Sequence, residues 1–149
     1  MSIRQITDEN RLHVLNLHVA PHQATFIETT LECLAEAQND SRWHPVALYD
    51  KEILVGFAMY GEFPSDQYGS CVWLDRLLIG EQYQHHGFGE QALKLLMELL
   101  KREYHCSRIF LSLYDDNTVA KRLYQKHGFV YTGTYDTKGE RIMVKEFFS

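Results

Sequence analysis

Gly87 and Gly89 stand two apart in Gln84-His85-His86-Gly87-Phe88-Gly89, between an apolar run and a strongly periodic stretch. A glycine-rich turn that opens a helix presents unpaired backbone N–H groups, and the helix dipole adds about half a positive charge there. That combination binds anions, and the ligand it suits is a phosphate-bearing cofactor. Gly87-Phe88-Gly89-Glu90-Gln91-Ala92 also satisfies G-x-G-x-x-G/A, and Asp115 and Asp116 follow the next strand, somewhat farther on than the ~20 residues usual in a dinucleotide site. Several antiparallel strands precede the turn, however, and too little chain remains for a dinucleotide half plus a substrate domain. Glu28, Glu32 and Glu36, spaced four apart, share one helical face that is either solvated or a wall facing a polycation. His18 and His22 have the spacing of a zinc pair, but with no third ligand in a recognisable pattern no metal site is expected.

These residues need elements to hold them. Residues 72–79 read as a mostly buried strand, residues 80–86 as the crossing, and the stretch that follows as a helix with apolar positions 92, 93, 96, 99 and 100 on one face. Upstream, residues 2–6 alternate as a strand does. Thr7 caps a helix carrying Leu12, Leu15 and Val19, and Pro21 starts a second through Phe26, Ile27, Thr30, Leu31, Leu34 and Ala35, closed at residues 39–41. Residues 45–49 and 53–60 form a hairpin, and residues 61–70, with Pro64 and Gly69, read as a loop. Downstream, residues 108–113 are a short strand. Residues 115–117 cap a helix that runs through His127 and ends at Gly128, and residues 129–133 and 141–148 make a final hairpin turning at 136–139. Only the step from 72–79 to 108–113 has the length of a parallel crossover. The expected fold is α/β (α+β), a mixed, mostly antiparallel sheet with helices on both faces.

At 149 residues the chain is expected to be one domain, residues 1–149. It is 45% hydrophobic and 23% charged, the composition of a globular protein. A net charge of −5 with no basic run argues against duplex nucleic acid as a partner and favours cationic small molecules. Cys33, Cys71 and Cys106 are widely spaced with no C-x-x-C pair, as free thiols in a reducing compartment would be. With no apolar h-region at residues 1–6 and no apolar run near 18 residues, a cytoplasmic protein without a membrane span is expected.

Gln84-x-x-Gly87-x-Gly89 after a strand, together with Asn117-x-x-Ala120-x-x-Leu123-Tyr124-x-x-x-Gly128-Phe129, resembles the GNAT superfamily of acyl-CoA-dependent N-acetyltransferases. The resemblance covers essentially the whole chain. More narrowly, Phe26-Ile27-Glu28, residues 56–61, Val72-Trp73-Leu74-Asp75-Arg76 and residues 139–144 look like bacterial spermine/spermidine N-acetyltransferases. Similar frameworks also acetylate protein N-termini, aminoglycosides or small amino compounds, and a CoA-binding regulatory module without turnover is a further alternative. Dimers are common among similar enzymes, so a homodimer is an expectation. His85-His86 departs from what close relatives commonly carry there, glycine and a basic residue, although the pattern itself does not demand those types. The substitution removes backbone freedom at 85 and a permanent charge at 86.

The resemblance implies acetyl-CoA as donor, its diphosphate held by Gln84, His85, His86, Gly87, Phe88, Gly89 and Glu90, with Asn117 and Tyr124, two helical turns apart, facing it. Main-chain amides of Leu77, Leu78 and Ile79 would serve the thioester and pantetheine, given a local splay or bulge. An alkylammonium of pKa roughly 10.4 is a free amine in only about one molecule in 2,500 at pH 7, a deficit on the order of 4–5 kcal/mol. Asp75, in the strand leading to the turn, is the candidate to hold the ammonium and take its proton, and a salt bridge to Arg76 is its competing role. Tyr124 is the candidate acid for the departing thiolate. Glu28, Glu32, Tyr60 and Trp73 are the further candidates for binding a polyamine, through spaced carboxylates and aromatic faces.

Overall fold

The computed structural model describes residues 1–147, so Phe148, assigned by sequence to the last strand, lies outside the described residues. In chain order the elements are β1 (Ser2–Gln5), α1 (Arg11–Leu15), α2 (Thr30–Asn39), β2 (Trp43–Asp50), β3 (Ile53–Ser65), β4 (Gly69–Ile79), α3 (Phe88–Tyr104), β5 (Arg108–Leu113), α4 (Thr118–Lys126), β6 (Val130–Tyr135) and β7 (Arg141–Glu146). One-turn 3₁₀ helices at Pro21–Gln23 and Glu81–Tyr83 complete them. The strands form one mixed sheet in the order β1-β2-β3-β4-β5-β7-β6, antiparallel throughout except between β4 and β5. This is the expected mostly antiparallel α/β architecture.

Strand alternation sorts the core into two layers. Along β2, Val46 and Leu48 join the cluster built on Leu93, Leu96 and Leu100 of α3, whereas Ala47 and Tyr49 pack with Val14 of α1 and Cys33 and Leu34 of α2. The buried face of α3 is Ala92, Leu93, Leu96, Met97 and Leu100, close to the periodic stripe read from sequence. Helices therefore cover both faces. No helix among the described residues is long and apolar enough to cross a membrane.

Three segments differ from the sequence-based expectation. The first helix is shorter: Asn10, not Thr7, is its N-cap, and Leu12 is 71% exposed while Val14 is fully buried. The Asn10 side chain serves the chain before it, accepting from Thr7 N at 2.8 Å and donating to the Gln5 carbonyl at 3.0 Å. The helix from Pro21 breaks after one 3₁₀ turn, and α2 begins afresh at a capping box. There Glu32 N donates to Thr29 Oγ1 at 3.2 Å, and Thr29 N donates to Glu32 Oε1 at 3.1 Å. Residues 61–70 are not a loop but the paired ends of β3 and β4, joined through Gly69 at φ +79°. Pro64 is tolerated because β2 starts opposite Gly61, so β3 has an open edge beyond it.

Two irregularities of β4 build the site. Met59 pairs with Arg76 and Tyr60 with Leu74, so Asp75 is the extra residue of a β-bulge. Val72 and Leu74 face the α3 layer before the bulge, and Leu77 and Ile79 face it after. The bulge thereby turns Asp75 and Arg76 together toward α2. The second irregularity is the parallel junction, where β4 and β5 pair at Trp73–Phe110 and at no other position among the described residues.

Candidate active site

A cleft of about 310 Å³ fills the gap between the separated ends of β4 and β5. Its floor is Asp75 to Ile79 and Ser112–Leu113, and its walls are the loop from Val19 to Glu28, the start of α3, α4 from Asn117 to Tyr124, and Glu140.

The backbone of the floor can be oriented from its contacts. Gly80 N donates to Val55 O at 2.9 Å, and the Leu78 carbonyl lies 2.5 Å from where a Cβ on Gly56 would stand. Both groups therefore face β3, and Gly56 is small because that approach leaves no room. By the two-residue period of a strand, the N–H groups of Leu77 and Ile79 face the open side, where β5 has drawn away. The Ile79 carbonyl on that side accepts Gln84 Nε2 at 2.9 Å, and the same amide group donates to Gln23 Oε1 at 2.9 Å. Gln84 thus locks the turn by closing it on β4.

At the end of the cleft, α3 starts without a side-chain cap. Its first main-chain bond is Gln91 N to Gly87 O at 3.2 Å, which leaves the N–H groups of Phe88, Gly89 and Glu90 without an intrahelical partner. Gly87 has φ +80°, and a Cβ there would meet nothing within 4 Å, so the backbone borders open space. His85 also takes a left-handed conformation, φ +67°, a region in which glycine is the least strained residue. These unpaired donors at a 17-residue helix fit a diphosphate. Glu90, expected at that site, instead sends its carboxylate to α4, 3.0 Å from Lys126 Nζ and 3.1 Å from His127 Nε2. His86 is exposed outside the cleft lining, its ring 6.0 Å from that of Phe88.

Tyr124 is buried in the cleft wall with its ring 5.9 Å from Phe129 in an edge contact. Burial pushes its phenol up to about 12, so it stays protonated. Asn117 is the N-cap of α4, and its carboxamide has no hydrogen-bond partner among the described residues and borders the cleft.

The wall formed by Glu28, Asp75 and Glu140 is acidic. Arg76, only 6% exposed, contacts carboxylates of three neighbours: Asp75, Glu28 at 2.8 Å and Glu36 at 3.4 Å. Its Nε–H is at ion-pair distance from Glu28 but is not aligned as a hydrogen bond. Glu28 also receives Lys138 Nζ at 3.1 Å from the β6–β7 turn. Burial works to raise the Glu28 carboxyl, but the Arg76 and Lys138 charges outweigh it and hold it below the usual range. Glu140, beyond the same turn, has no cation at ion-pair distance among the described residues, and Arg76 only partly offsets what raises it. Burial, then the Asp136 carboxylate, push it up to about 7.

Three of the expected substrate contacts lie elsewhere. Tyr60 is buried with its hydroxyl 3.5 Å from Glu103 and its ring 6.2 Å from Tyr104, at the C-terminal end of α3. That end is about 24 Å along the helix from the cleft. Glu32 is committed to the capping box. Trp73 stacks on Phe110, centroids 5.4 Å apart, where β4 and β5 meet. The cleft does gather Glu28, Asp75, Leu77, Leu78, Ile79, Gln84, His85, Gly87, Phe88, Gly89, Asn117 and Tyr124. Sequence reasoning missed Arg76 as the organiser of the carboxylates, and Glu140. Glu140 follows a turn recognisable as Asp136-Thr137-Lys138-Gly139, but nothing local marks it as facing a cleft.

A splayed parallel junction, free β4 amides and an uncapped helix make a cleft able to hold a diphosphate-bearing ligand by main-chain donors. Residues 5–129 match the acetyltransferase (GNAT) family, and the chain belongs to it. It is 46% identical to the spermine/spermidine N(1)-acetyltransferase of Bacillus subtilis (strain 168), over 98% of each chain. The fold superposes with a TM-score of 0.72 on a chimera of spermidine N-acetyltransferase SpeG from Vibrio cholerae and hSSAT, at 16% identity, covering 98% of this chain and 96% of the other. It also matches the PaiA N-acetyltransferase from Thermoplasma acidophilum in complex with coenzyme A, with a TM-score of 0.65 and 19% identity over 98% of each chain.

Proposed function

We propose that this chain is an acetyl-CoA-dependent N-acetyltransferase that modifies a primary amine of spermidine or spermine by direct transfer in a ternary complex. Residues 1–149 act as one domain, in the cytoplasm, where Cys33, Cys71 and Cys106 remain free thiols. The single observation that carries the activity is the separation of β4 from β5 beyond Trp73 and Phe110, which frees the Leu77 and Ile79 amides over a cleft. The polyamine assignment is supported by the acidic wall at Glu28, Asp75 and Glu140 and by the identity to a polyamine acetyltransferase.

In this reading the donor's diphosphate lies against the turn from His85 to Gly89 and the start of α3. The β4 amides hold the pantetheine arm and the oxygen on which negative charge develops during attack. The acceptor's ammonium groups sit among the cleft carboxylates, which are worth most where water is excluded. Tyr124 faces the departing sulfur. Full proton transfer from a phenol near 12 to a thiolate near 8.5 is uphill by about 5 kcal/mol. Tyr124 therefore stabilises the sulfur by hydrogen bonding as the C–S bond breaks, and any proton it gives is replaced from the newly acylated nitrogen. With Arg76 on its carboxylate, Asp75 contributes charge to the wall rather than a vacant proton site.

Mass spectrometry after incubation with acetyl-CoA and a mixture of spermidine, spermine and other primary amines tests this. Monoacetylated polyamine with equimolar CoA is the expected product. Acetylation confined to another amine, or no acetylation at all, overturns the assignment.

A further inference from the structure

Every cation near the acidic wall is already committed, and one carboxylate is left over. Arg76 is shared by Asp75, Glu28 and Glu36. Lys138 is on Glu28 at 3.1 Å, and Arg141, adjacent to Glu140 in sequence, turns away to Asp115 at 2.7 Å. Among the described residues no Lys, Arg or His lies within ion-pair distance of Glu140.

The backbone of Glu140 is nevertheless fixed. Asp136 N donates to the Glu140 carbonyl at 2.8 Å, and Glu140 N donates to Asp136 Oδ1 at 2.9 Å. Lys138 N donates to the same Oδ1 at 2.9 Å, closing the turn. The Lys138–Glu28 pair then ties this turn to the loop ahead of α2, and Glu28 and Glu140 both line the cleft. A held, half-buried carboxylate with no cation at ion-pair distance, lining the same cleft as Leu77 and Ile79, is a vacancy for an ammonium.

We infer that Glu140 is the residue that receives the reacting ammonium of the acceptor and takes its proton. The assignment rests on the transferase reading above. The groups facing Glu140 are Asp136 from its own turn, Glu28 from the loop ahead of α2 and Arg76 from β4, and the two carboxylates outweigh the guanidinium. Its position near 7 leaves a substantial carboxylate fraction at neutral pH and a conjugate acid able to release the proton to water. R–NH₃⁺ gives one proton to the Glu140 carboxylate, and the freed lone pair attacks the thioester carbonyl. The C–N bond forms, the C–S bond breaks, and sulfur leaves with its electron pair. It takes the second nitrogen proton by way of Tyr124, while Glu140 passes the first to solvent.

The test compares wild type, Glu140→Gln and Glu140→Asp by kcat and kcat/KM for spermidine across pH 5.5–9.5, with acetyl-CoA Kd and melting temperature measured alongside. Wild type is expected to show an acid limb in kcat/KM near pH 7. E140Q should lose that limb, with kcat down about 10²–10⁴-fold, while acetyl-CoA Kd stays within twofold. E140D should recover part of both rate and limb. An E140Q enzyme that keeps the limb, or that raises KM at unchanged kcat, overturns the proton-acceptor role. If E140Q does not fold, E140D decides: an unchanged rate and limb position overturn the role, and a lowered rate with a shifted limb supports it. Wild type inactive on every polyamine would instead defeat the parent assignment, a result distinct from an active wild type indifferent to position 140.

Discussion

Arg76 Nε lies 2.8 Å from Glu28 Oε2, joining the β4 bulge to the loop ahead of α2. One buried guanidinium thus organises carboxylates from three segments of the chain. Removing it would leave Asp75 and Glu36 without a counter-charge among the described residues, and Glu28 with Lys138 alone.

Arg76→Leu is therefore expected to destabilise the protein by roughly 3–5 kcal/mol at pH 7, measured by urea unfolding. The sign with pH follows from Glu28, whose folded pKa is depressed below 4.5. The stability it contributes is present above that value and lost as pH falls through the folded pKa. The gap between wild type and R76L should be widest near neutrality and narrow in acid. A gap that does not change with pH would show that packing, not charge, sets the loss.

Tyr124→Phe removes a hydroxyl but keeps the edge contact with Phe129. Single-turnover kinetics should show the chemical step slowed at least 10-fold, with acetyl-CoA Kd unchanged. An unaltered chemical step would remove Tyr124 from the mechanism.

His85 holds φ +67° in the turn proposed to hold the donor's diphosphate. A left-handed conformation costs a non-glycine residue on the order of 1–2 kcal/mol, part of which histidine escapes. Glycine at 85 should be more stable than alanine at 85 by about 1 kcal/mol and should bind acetyl-CoA more tightly, as read by thermal melting with and without the donor. Equal stability and affinity of H85G and H85A would show that the turn is not strained.

Glu140 carries a second, purely thermodynamic signature. Its folded pKa near 7 lies above the unfolded value near 4.5, so ionising it in the folded protein is unfavourable. Stability should fall as pH rises from about 4.5 through 7 and be lowest above that range. E140Q, which cannot ionise, should be more stable than wild type at pH 8 by roughly 1 kcal/mol, after discounting for solvent screening. The difference should vanish by pH 4.5. E140Q less stable than wild type at pH 8 would contradict an unpaired carboxylate.

Local signals carried much of the fold. β5 was placed at its observed bounds because a short apolar run with turn residues on both sides has few other structures open to it. The uncapped start of α3 was legible from Gly87 and Gly89, and its buried stripe from the helical period. The hairpin through residues 61–70 reads as a loop from sequence because Pro64 signals one unless its strand has an open edge, which is a tertiary fact. Thr29-x-x-Glu32 is a local capping signal that places the start of α2, and the helical period of the preceding residues masks it. Glu140 was beyond reach, since its significance depends on which distant carboxylates claim Arg76 and Lys138. Tyr60 and Trp73 were misplaced for the same reason: spacing along a strand does not reveal how far the strand runs from the site.

The central claim is that the gap between β4 and β5 grips the acetyl donor through main-chain nitrogens. A crystal structure with CoA tests it most directly. The diphosphate oxygens should lie within hydrogen-bond distance of N–H groups between His85 and Glu90, with the pantetheine against the Leu77 and Ile79 amides. CoA bound elsewhere, with those amides left to water, would contradict the account.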